Sequence, residues 1–237
     1  MAPLADPAER VVRAAVALLA DQGPAAIKAR TVATASGLST MAVYHHFGGI
    51  PELMSAVADH GYAQLDAAFT QHPATQDPVA DLFTLALTTR SFAQDNPHLY
   101  DLMFGLSTRA TYRPTSDLPR SGRSPGFRQA YAHLVAACER LTGSGRVQPA
   151  PAEVLAAALW SYVHGFITLE LAEHFIDFED PAHQVLLPMG VTFAVGLGDA
   201  RERAHASHEE AARRFRTSTK PKRRAPTTTK APRGATR

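Results

Sequence analysis

The sequence contains a single cysteine, Cys138, among 237 residues, so no disulfide can form within the chain. A chain of this kind suits a reducing compartment, and we expect the protein to be cytoplasmic. No stretch approaches the ~18 uncharged apolar residues of a membrane-spanning helix, and the first ten residues carry charges where a signal peptide needs an apolar run. We therefore expect no membrane partner.

Catalytic and metal-binding motifs are missing as well. The sequence holds no His-Glu-x-x-His pair, Cys/His cluster, nucleophile elbow, phosphate-binding loop or dinucleotide fingerprint. The neighbours His45 and His46 diverge by about 100° on a helix, and His164 and His174 are too far apart in sequence to share one helix face. We therefore expect no metal, no cofactor and no enzymatic activity.

Charge is distributed unevenly along the chain. Residues 213–237 hold ten Lys or Arg and no acidic residue, whereas residues 1–212 hold 14 basic and 22 acidic side chains, a net charge of −8. A basic tail on an acidic body indicates either a polyanionic partner or only a solvated segment, and both interpretations remain open here. Residues 217–237 lack the apolar groups needed to pack against a core and are predicted to be disordered.

Apolar positions recur at three- and four-residue spacing almost throughout, and no run alternates with a period of two. The predicted fold is all-α, with an N-terminal three-helix helix-turn-helix domain, a C-terminal helical bundle and about nine helices. Breaks at proline, glycine and asparagine place these helices near 7–22, 28–36, 40–46, 51–70, 79–94, 97–106, 125–142, 151–175 and 181–197. A mobile loop is predicted at 109–124 and a charged helical extension at 202–215.

Residues 29–47 carry the strongest functional signal. Gly37 permits the positive φ of a tight turn between two short helices, and Val43 and Phe47 lie four residues apart on an inner face. Two short helices that meet at such a turn form a helix-turn-helix, whose second helix can enter the major groove of DNA. Double-stranded DNA is therefore the predicted partner.

The predicted DNA-binding residues lie on the outer face of this motif. Thr can hydrogen-bond a base and Met can contact a thymine methyl group, while the Tyr hydroxyl suits a phosphate and His suits either target. Basic side chains at the start of the second helix can reach the backbone or the groove edge. The set comprises Lys28, Arg30, Thr31, Thr40, Met41, Tyr44, His45 and His46.

The pattern Val-Ala-x-x-Ser-Gly-Leu-Ser-x-x-x-Val-Tyr-x-His-Phe spans residues 32–47, with Leu53 beyond it. It resembles the DNA-binding domain of the TetR/AcrR family over roughly residues 9–54. The resemblance implies that Arg30 and His46 occupy DNA-contact positions and that Tyr44 contacts a phosphate.

One position departs from the family pattern. Ile50 stands where the family usually has a phosphate-contacting lysine, and residues 1–70 hold four basic and six acidic side chains. Because phosphate contacts supply most nonspecific affinity, we expect this domain to bind DNA weakly by itself. The basic tail is expected to offset the deficit.

Residues 160–166, Trp-Ser-Tyr-Val-His-Gly-Phe, are followed by Leu169 and Glu170. They resemble the Trp-His-Gly signature of one class of TetR-type C-terminal domains, which implies an effector pocket and pairing of two subunits. The helices at 151–175 and 181–197 are apolar around most of their circumference, as helices buried on several sides are. They predict a four-helix homodimer interface, and the alternative is that they bury each other within a monomer.

A small-molecule effector pocket is predicted within this second domain. Few charges lie on these helix faces, so a largely apolar effector is expected. His164 stands out because a buried imidazole needs a partner and could be a ligand donor. The predicted lining residues, for each of which ordinary core packing is the alternative, are Phe83, Leu87, Tyr100, Met103, Phe104, Phe127, Tyr131, Trp160 and His164.

Together these features predict a ligand-responsive transcriptional regulator, most simply a repressor that an effector releases from DNA by favouring a spacing of the two recognition helices that does not fit. The alternative is an activator of transcription that works by the same shift between two spacings. The predicted domains are 1–50 for DNA binding, 51–200 for ligand binding and dimerisation with 51–70 as connecting helix, and 201–237 as charged extension and tail. A ligand-binding or adaptor protein that has lost DNA recognition is the alternative, and the missing lysine favours it.

Overall fold

The structure, a computed structural model, describes residues 6–104 and 124–218, and within these ranges it is helical without a β-strand. The all-α class predicted from the periodicity is confirmed. The ten described α-helices are α1 Pro7–Gln22, α2 Ala29–Ser36, α3 Thr40–Phe47, α4 Ile50–Thr70, α5 Pro78–Asp95, α6 Pro97–Phe104, α7 Pro125–Gly143, α8 Ala152–Leu171, α9 Leu187–Gly196 and α10 Arg201–Ser218.

Some predictions fall outside the described residues. The loop predicted at 109–124 lies there apart from Ser124, and so do residues 105–106 of the helix predicted at 97–106. The tail predicted to be disordered lies there beyond Ser218, which ends α10.

The first helices begin where local signals in the sequence place them. Asp6 caps α1 by accepting a hydrogen bond from the amide of Ala8 (3.3 Å), and Pro7 occupies the first helical position. Ser39 caps α3 by accepting a hydrogen bond from the amide of Ala42 (3.1 Å). Each cap depends on residues within one helical turn, which is why the sequence alone locates these starts.

Two boundaries in the second half of the chain differ from the prediction. The helix predicted to reach Phe175 ends at Leu171, and Glu173 takes a left-handed φ of 62° in the turn that follows. The helix predicted from Pro181 begins instead with a π-helical turn, Ala182–Leu186, before α9. No proline or glycine marks the first of these changes, so periodicity alone extends the helix too far.

The charged segment after residue 200 is not an appendage. Helix α10 packs against α5 and α9, and Ala204, His208 and Ala211 are buried along one of its faces. Small alanines let this face approach its neighbours closely, while the charged residues lie on the opposite face. The sequence predicted a separate charged extension because the charges dominate its composition.

The main apolar core is continuous from the first three helices into the bundle. Val32 and Val43 are fully buried in the same cluster as Leu53 and Leu65 of α4, which also includes Ile167 of α8. Helix α4 packs against α1, α6 and α7, and α6 also contacts α1. A change around α6 or α7 is therefore in direct contact with the elements that carry the helix-turn-helix.

A buried ion cluster ties α10 to the start of α5. The Arg146 guanidinium donates to Asp77 (2.6 Å) and Asp199 (2.5 Å), and the Ser207 hydroxyl donates to Asp77 (2.6 Å). The Asp199 side chain is completely buried. The hydrogen bond from Ser207 and the nearby Arg146 hold the pKa of Asp77 below its ordinary value, although burial acts the other way.

By length and composition, α8 is the one described helix that could cross a membrane. Core helices of bundles pass the same test, and α8 packs against α5 and α7. This feature is therefore weak support for a membrane segment.

Candidate functional site

The turn between α2 and α3 has the geometry of a helix-turn-helix. Gly37 has a φ of 66°, in the left-handed region that favours glycine, and the amide of Leu38 donates back to the carbonyl of Ala33 (3.0 Å). Arg10 of α1 donates to the carbonyl of Ser36 (2.7 Å). The turn is thereby fixed to α1 and presents α3 outward.

Helix α3 has one buried and one open face. Val43 is fully buried, whereas Met41 is 74% exposed and Tyr44 50% exposed. Thr40, His45 and His46 are also exposed. The face can therefore enter a groove of about the width of a helix without any rearrangement.

The basic side chains of this region are few, and some are already engaged. Arg10 holds the Ser36 carbonyl, and Arg13 lies 3.7 Å from the Glu9 carboxylate. Within residues 6–70, Lys28 and Arg30 are the cations that have neither an ion pair nor a hydrogen bond from the charged group, and both are exposed. Phosphate neutralisation by the described part of this domain therefore rests on two side chains.

Thr31 has a role in the helix start itself. Its hydroxyl accepts a hydrogen bond from the Lys28 amide (3.1 Å) and donates to the Ala26 carbonyl (2.5 Å). The hydroxyl proton is thus committed to capping α2, although the side chain remains on the exposed face.

A cavity of about 60 Å³ lies inside the bundle, lined by residues of α4, α5, α7, α8, α9 and α10. That space holds a few water molecules. None of the described Asp, Glu, Lys or Arg residues lines it, and most of its wall is apolar. Prominent lining residues are Leu82, Phe83, Leu159, Trp160, Tyr162, Val163, His164, Phe193, Leu197 and His208.

His164 is the most constrained polar group at the cavity wall. Its Nδ1 is hydrogen-bonded to the Tyr100 hydroxyl, and its ring centroid lies 4.1 Å from those of both Phe104 and Trp160. Burial lowers the pKa of His164 to about 3 and raises the pKa of Tyr100. The imidazole is therefore neutral at physiological pH.

A second histidine reaches the same cavity from α10. His208 Nδ1 donates to the carbonyl of Ala204 (2.6 Å), and the ring centroid lies 4.4 Å from that of Phe83. Burial lowers the pKa of His208, so this ring is neutral as well. The sequence prediction missed His208 because it took α10 for an extension; the spacing of Ala204, His208 and Ala211 was the signal available.

Comparison with known proteins gives two family matches that together span well over half of the chain. Residues 11–57 match the model of bacterial regulatory proteins of the tetR family, and residues 82–189 match the model of the tetracyclin repressor-like C-terminal domain. The chain belongs to the TetR family. The resemblance inferred from residues 32–47 is confirmed, and TetR membership makes the chain a DNA-binding, ligand-responsive transcriptional regulator rather than an enzyme.

Solved structures show the same fold. A protein of unknown function from Rhodococcus sp. RHA1 has a TM-score of 0.66 at 22% identity, covering 84% of this chain and 98% of that one. RolR in complex with resorcinol has a TM-score of 0.63 at 13% identity, covering 85% and 92%. A protein from Mesorhizobium loti assigned to the TetR family has a TM-score of 0.52 at 16% identity, covering 90% and 96%. No curated protein matches the chain.

The predicted pocket residues separate into three groups. Phe83, Trp160 and His164 line the cavity of this TetR-family chain. Tyr100, Phe104, Phe127 and Tyr131 form an aromatic cluster around Trp160, with ring centroids 4.6–5.8 Å apart between neighbours. Leu87 and Met103 are buried in the main core away from the cavity lining.

The cavity also has walls that the sequence did not single out. On α8, the predicted Trp160 and His164 are flanked by Leu159, Tyr162 and Val163. Phe193 lies on α9 and Leu197 directly follows that helix. For α8, the signal available in the sequence was that these residues lie next to the Trp-His-Gly motif. Nothing in the sequence indicated which face of α9 would reach the cavity.

Proposed function

We propose that this TetR-family regulator is a cytoplasmic repressor that binds operator DNA as a homodimer and is released by a small, largely apolar effector. The observation that carries the proposal is the outer face of α3, where Met41 and Tyr44 are exposed beside the buried Val43. Three residues apart on a helix, these two side chains form an exposed patch, and the helix-turn-helix geometry makes DNA its fitting partner.

Roles on the DNA follow from position along α3. Thr40 and Met41 stand at its amino end, where base edges are within reach, and the helix start adds a partial positive charge. Tyr44 and His46 follow on exposed positions suited to phosphate, and His45 can meet either target. Lys28 and Arg30 supply the positive charge at the start of α2, whereas the Thr31 hydroxyl caps that helix.

The proposed dimer uses uncharged outer faces of α8 and α9. Val154 is 62% and Leu169 is 45% exposed on α8, and Met189 is 48% exposed on α9. Between the two ends of the α8 face lie Ala158, Ser161 and Gly165, spaced by three or four residues and all exposed. Faces of this kind suit close packing of two helix pairs around a twofold axis.

A route from cavity to DNA runs through Tyr62 on α4. Its hydroxyl donates to the carbonyl of Met103 (2.6 Å) on α6, and its ring lies 5.7 Å from Phe104 and 5.3 Å from Phe127. The connecting helix therefore touches the aromatic cluster that surrounds Trp160. An effector that shifts this cluster would tilt α4 and change the spacing of the two recognition helices.

The experiment that tests the DNA-binding part of the proposal is selection of duplexes from a random library by the full chain at low salt. The selected duplex is then titrated with Tyr44→Phe, which removes one hydroxyl. Loss of a hydrogen bond to a charged phosphate should weaken binding about tenfold. Thr142→Ala, which removes a hydroxyl at the end of α7, is the matched control and should bind like the parent. Unchanged affinity in Tyr44→Phe would contradict the assigned contact.

The dimer is tested separately by sedimentation equilibrium. Leu169→Glu places a charge at the proposed interface and should shift the chain to a monomer, whereas Thr142→Glu, at the end of α7, should leave the dimer intact. A parent protein that sediments as a monomer at all concentrations would overturn the homodimer.

The adaptor alternative is favoured by one observation, the small number of unpaired cations near α3. Lys28 and Arg30 are weak support for a domain that must neutralise several phosphates. Failure of the full-length chain to select any duplex at low salt would favour this alternative over the repressor.

A further inference from the structure

One polar atom at the cavity wall has no partner. His164 Nε2 is buried, and it makes no hydrogen bond among the described residues. Buried side-chain polar atoms almost always have a partner, and an exception calls for an explanation such as a missing ligand. His164 lines the cavity, so a molecule that moves the wall beside this ring would meet a polar atom without a partner among the described residues.

The protonation of this ring follows from its other nitrogen. Tyr100 is buried, and its hydroxyl bonds to His164 Nδ1. A phenol has one proton to donate, and Nδ1 of the imidazole is the acceptor that this proton meets. The ring proton of the neutral imidazole is therefore on Nε2, which makes that nitrogen a donor without an acceptor.

His208 presents the opposite group. Its Nδ1–H donates to the carbonyl of Ala204, so Nε2 of the neutral ring carries a lone pair. The other hydroxyls at the wall are already used, since Thr89 donates to the carbonyl of Leu85 (2.8 Å) and Tyr162 donates to the carbonyl of Leu186. His208 Nε2 lies beside Gly190, which also lines the cavity, so a ligand at this wall would meet one donor on His164 and one acceptor on His208 in apolar surroundings.

We propose that the effector of this site is a neutral, single-ring aromatic compound that accepts a hydrogen bond from His164 and donates one to His208. The inference rests on the proposed ligand-released repressor. At about 60 Å³ the cavity is smaller than a substituted benzene ring, so binding requires its walls to move apart, and the rings of Phe83, Trp160 and Phe193 suit an aromatic face. An ionic ligand would lose its hydration without meeting a charged side chain among the described lining residues.

A matched set of four ring compounds tests the donor and the acceptor separately. The probes are para-ethyltoluene with neither group, para-methylacetophenone with an acceptor, para-ethylphenol with a hydroxyl, and para-hydroxyacetophenone with both. We expect the ketone to bind about tenfold tighter than the hydrocarbon by calorimetry, because it satisfies His164. The compound with both groups should bind tightest, and the ionic para-hydroxybenzoate more weakly than either ketone.

Location and tautomer have their own readouts. The chain has one tryptophan, Trp160, so its single indole N–H signal in NMR spectra should shift on binding. The ¹⁵N shifts of His164 should show the proton on Nε2 in the free protein. A proton found on Nδ1, or an indole signal that does not move, would overturn the proposal.

Two variants identify His164 as the donor. His164→Phe should bind the hydrocarbon like the parent but lose the tenfold advantage of the ketone. Tyr100→Phe keeps the imidazole but no longer directs its proton, so the advantage should shrink without disappearing. An advantage that persists in His164→Phe, or equal affinity of all four compounds for the parent, contradicts the inference.

Failures of the inference and of the function remain distinguishable because ligand titration needs no DNA. A parent chain that binds duplex DNA but none of the four compounds overturns the effector class alone. A chain that binds the compounds in the expected order but selects no duplex supports the cavity chemistry and overturns the repressor.

Discussion

The helix-turn-helix and the cavity are built in different ways. Residues within one helical turn of each other cap and join α2 and α3, and a nearly continuous stretch from Lys28 to His46 carries every proposed DNA contact. The cavity instead draws on six helices, and its two histidines stand on α8 and α10. A surface site can therefore be set by local sequence, whereas an interior site depends on how distant segments meet.

The largest effect should come from breaking the ion cluster that holds the cavity helices together. Asp199→Ala leaves the buried Arg146 with fewer partners and should cost about 3–5 kcal/mol of unfolding free energy. The thermal midpoint should fall by about 10 °C or more. Asp95→Ala, at an exposed position, is the control and should change stability by less than about 0.5 kcal/mol. Equal effects of the two substitutions would show that the cluster does not support the bundle.

On acidification, the protein should lose stability through its buried histidines before its carboxylates take up protons. The folded-state pKa of His164 is about 3 and its ordinary value is 6.5, so below pH 6.5 the unfolded chain takes up a proton that the folded chain does not. Stability is therefore fully present above pH 6.5 and falls on acidification by up to about 1.4 kcal/mol per pH unit. His208 acts in the same direction, whereas Asp77, with a lowered pKa, loses its contribution only below its ordinary value of 3.8.

Urea denaturation between pH 6.5 and 4.5 measures this slope. His164→Phe should flatten it, because the substituted side chain has no proton to exchange. An identical slope in parent and variant would show that the imidazole is hydrated in the folded state.

A smaller effect is expected at the turn of the helix-turn-helix. Gly37→Ala forces a side chain into the left-handed region and brings its Cβ within 3.2 Å of the Arg10 guanidinium. It should cost about 1 kcal/mol and increase hydrogen exchange in α2 and α3 more than in the bundle. Gly143→Ala, where an added Cβ meets no described atom within 4 Å, is the control and should be neutral or slightly stabilising. Equal exchange in α2–α3 and the bundle would mean that the turn does not open by itself.

Removing the basic tail should leave stability unchanged while altering DNA binding. Residues 219–237 hold seven Lys or Arg and follow the last residue of α10, so their deletion spares the packed face of that helix. If the tail neutralises phosphates, the slope of log affinity against log salt should become shallower by about 0.9 for each phosphate that the tail no longer neutralises. Replacing the same seven residues with glutamine keeps the length and should give the same result. An unchanged slope would leave Lys28 and Arg30 as the cations that meet the DNA backbone.

The difference between the locally determined helix-turn-helix and the cavity built from distant segments also explains which sequence predictions agree with the structure. Asp6, Gly37 and Ser39 act on their own helices, so the starts of α1 and α3 and the turn between α2 and α3 follow from the sequence. The inward role of α10 did not follow, because Arg201, Glu202 and their exposed neighbours masked a buried face of small residues. Among the predicted pocket residues, aromatic type alone did not separate Trp160 at the cavity from Tyr131 in the surrounding cluster.

The sequence alone determined the order of the helices, the outward face of α3 and membership in the TetR family. Capping, turn conformation and helical periodicity act over a few residues, so they can be read without the tertiary structure. Only the tertiary structure decided that His208 shares a cavity with His164 and that the Tyr100 hydroxyl is hydrogen-bonded to His164 Nδ1. Those relations join atoms on α6, α8 and α10, and their distances are set by the packing of the whole bundle.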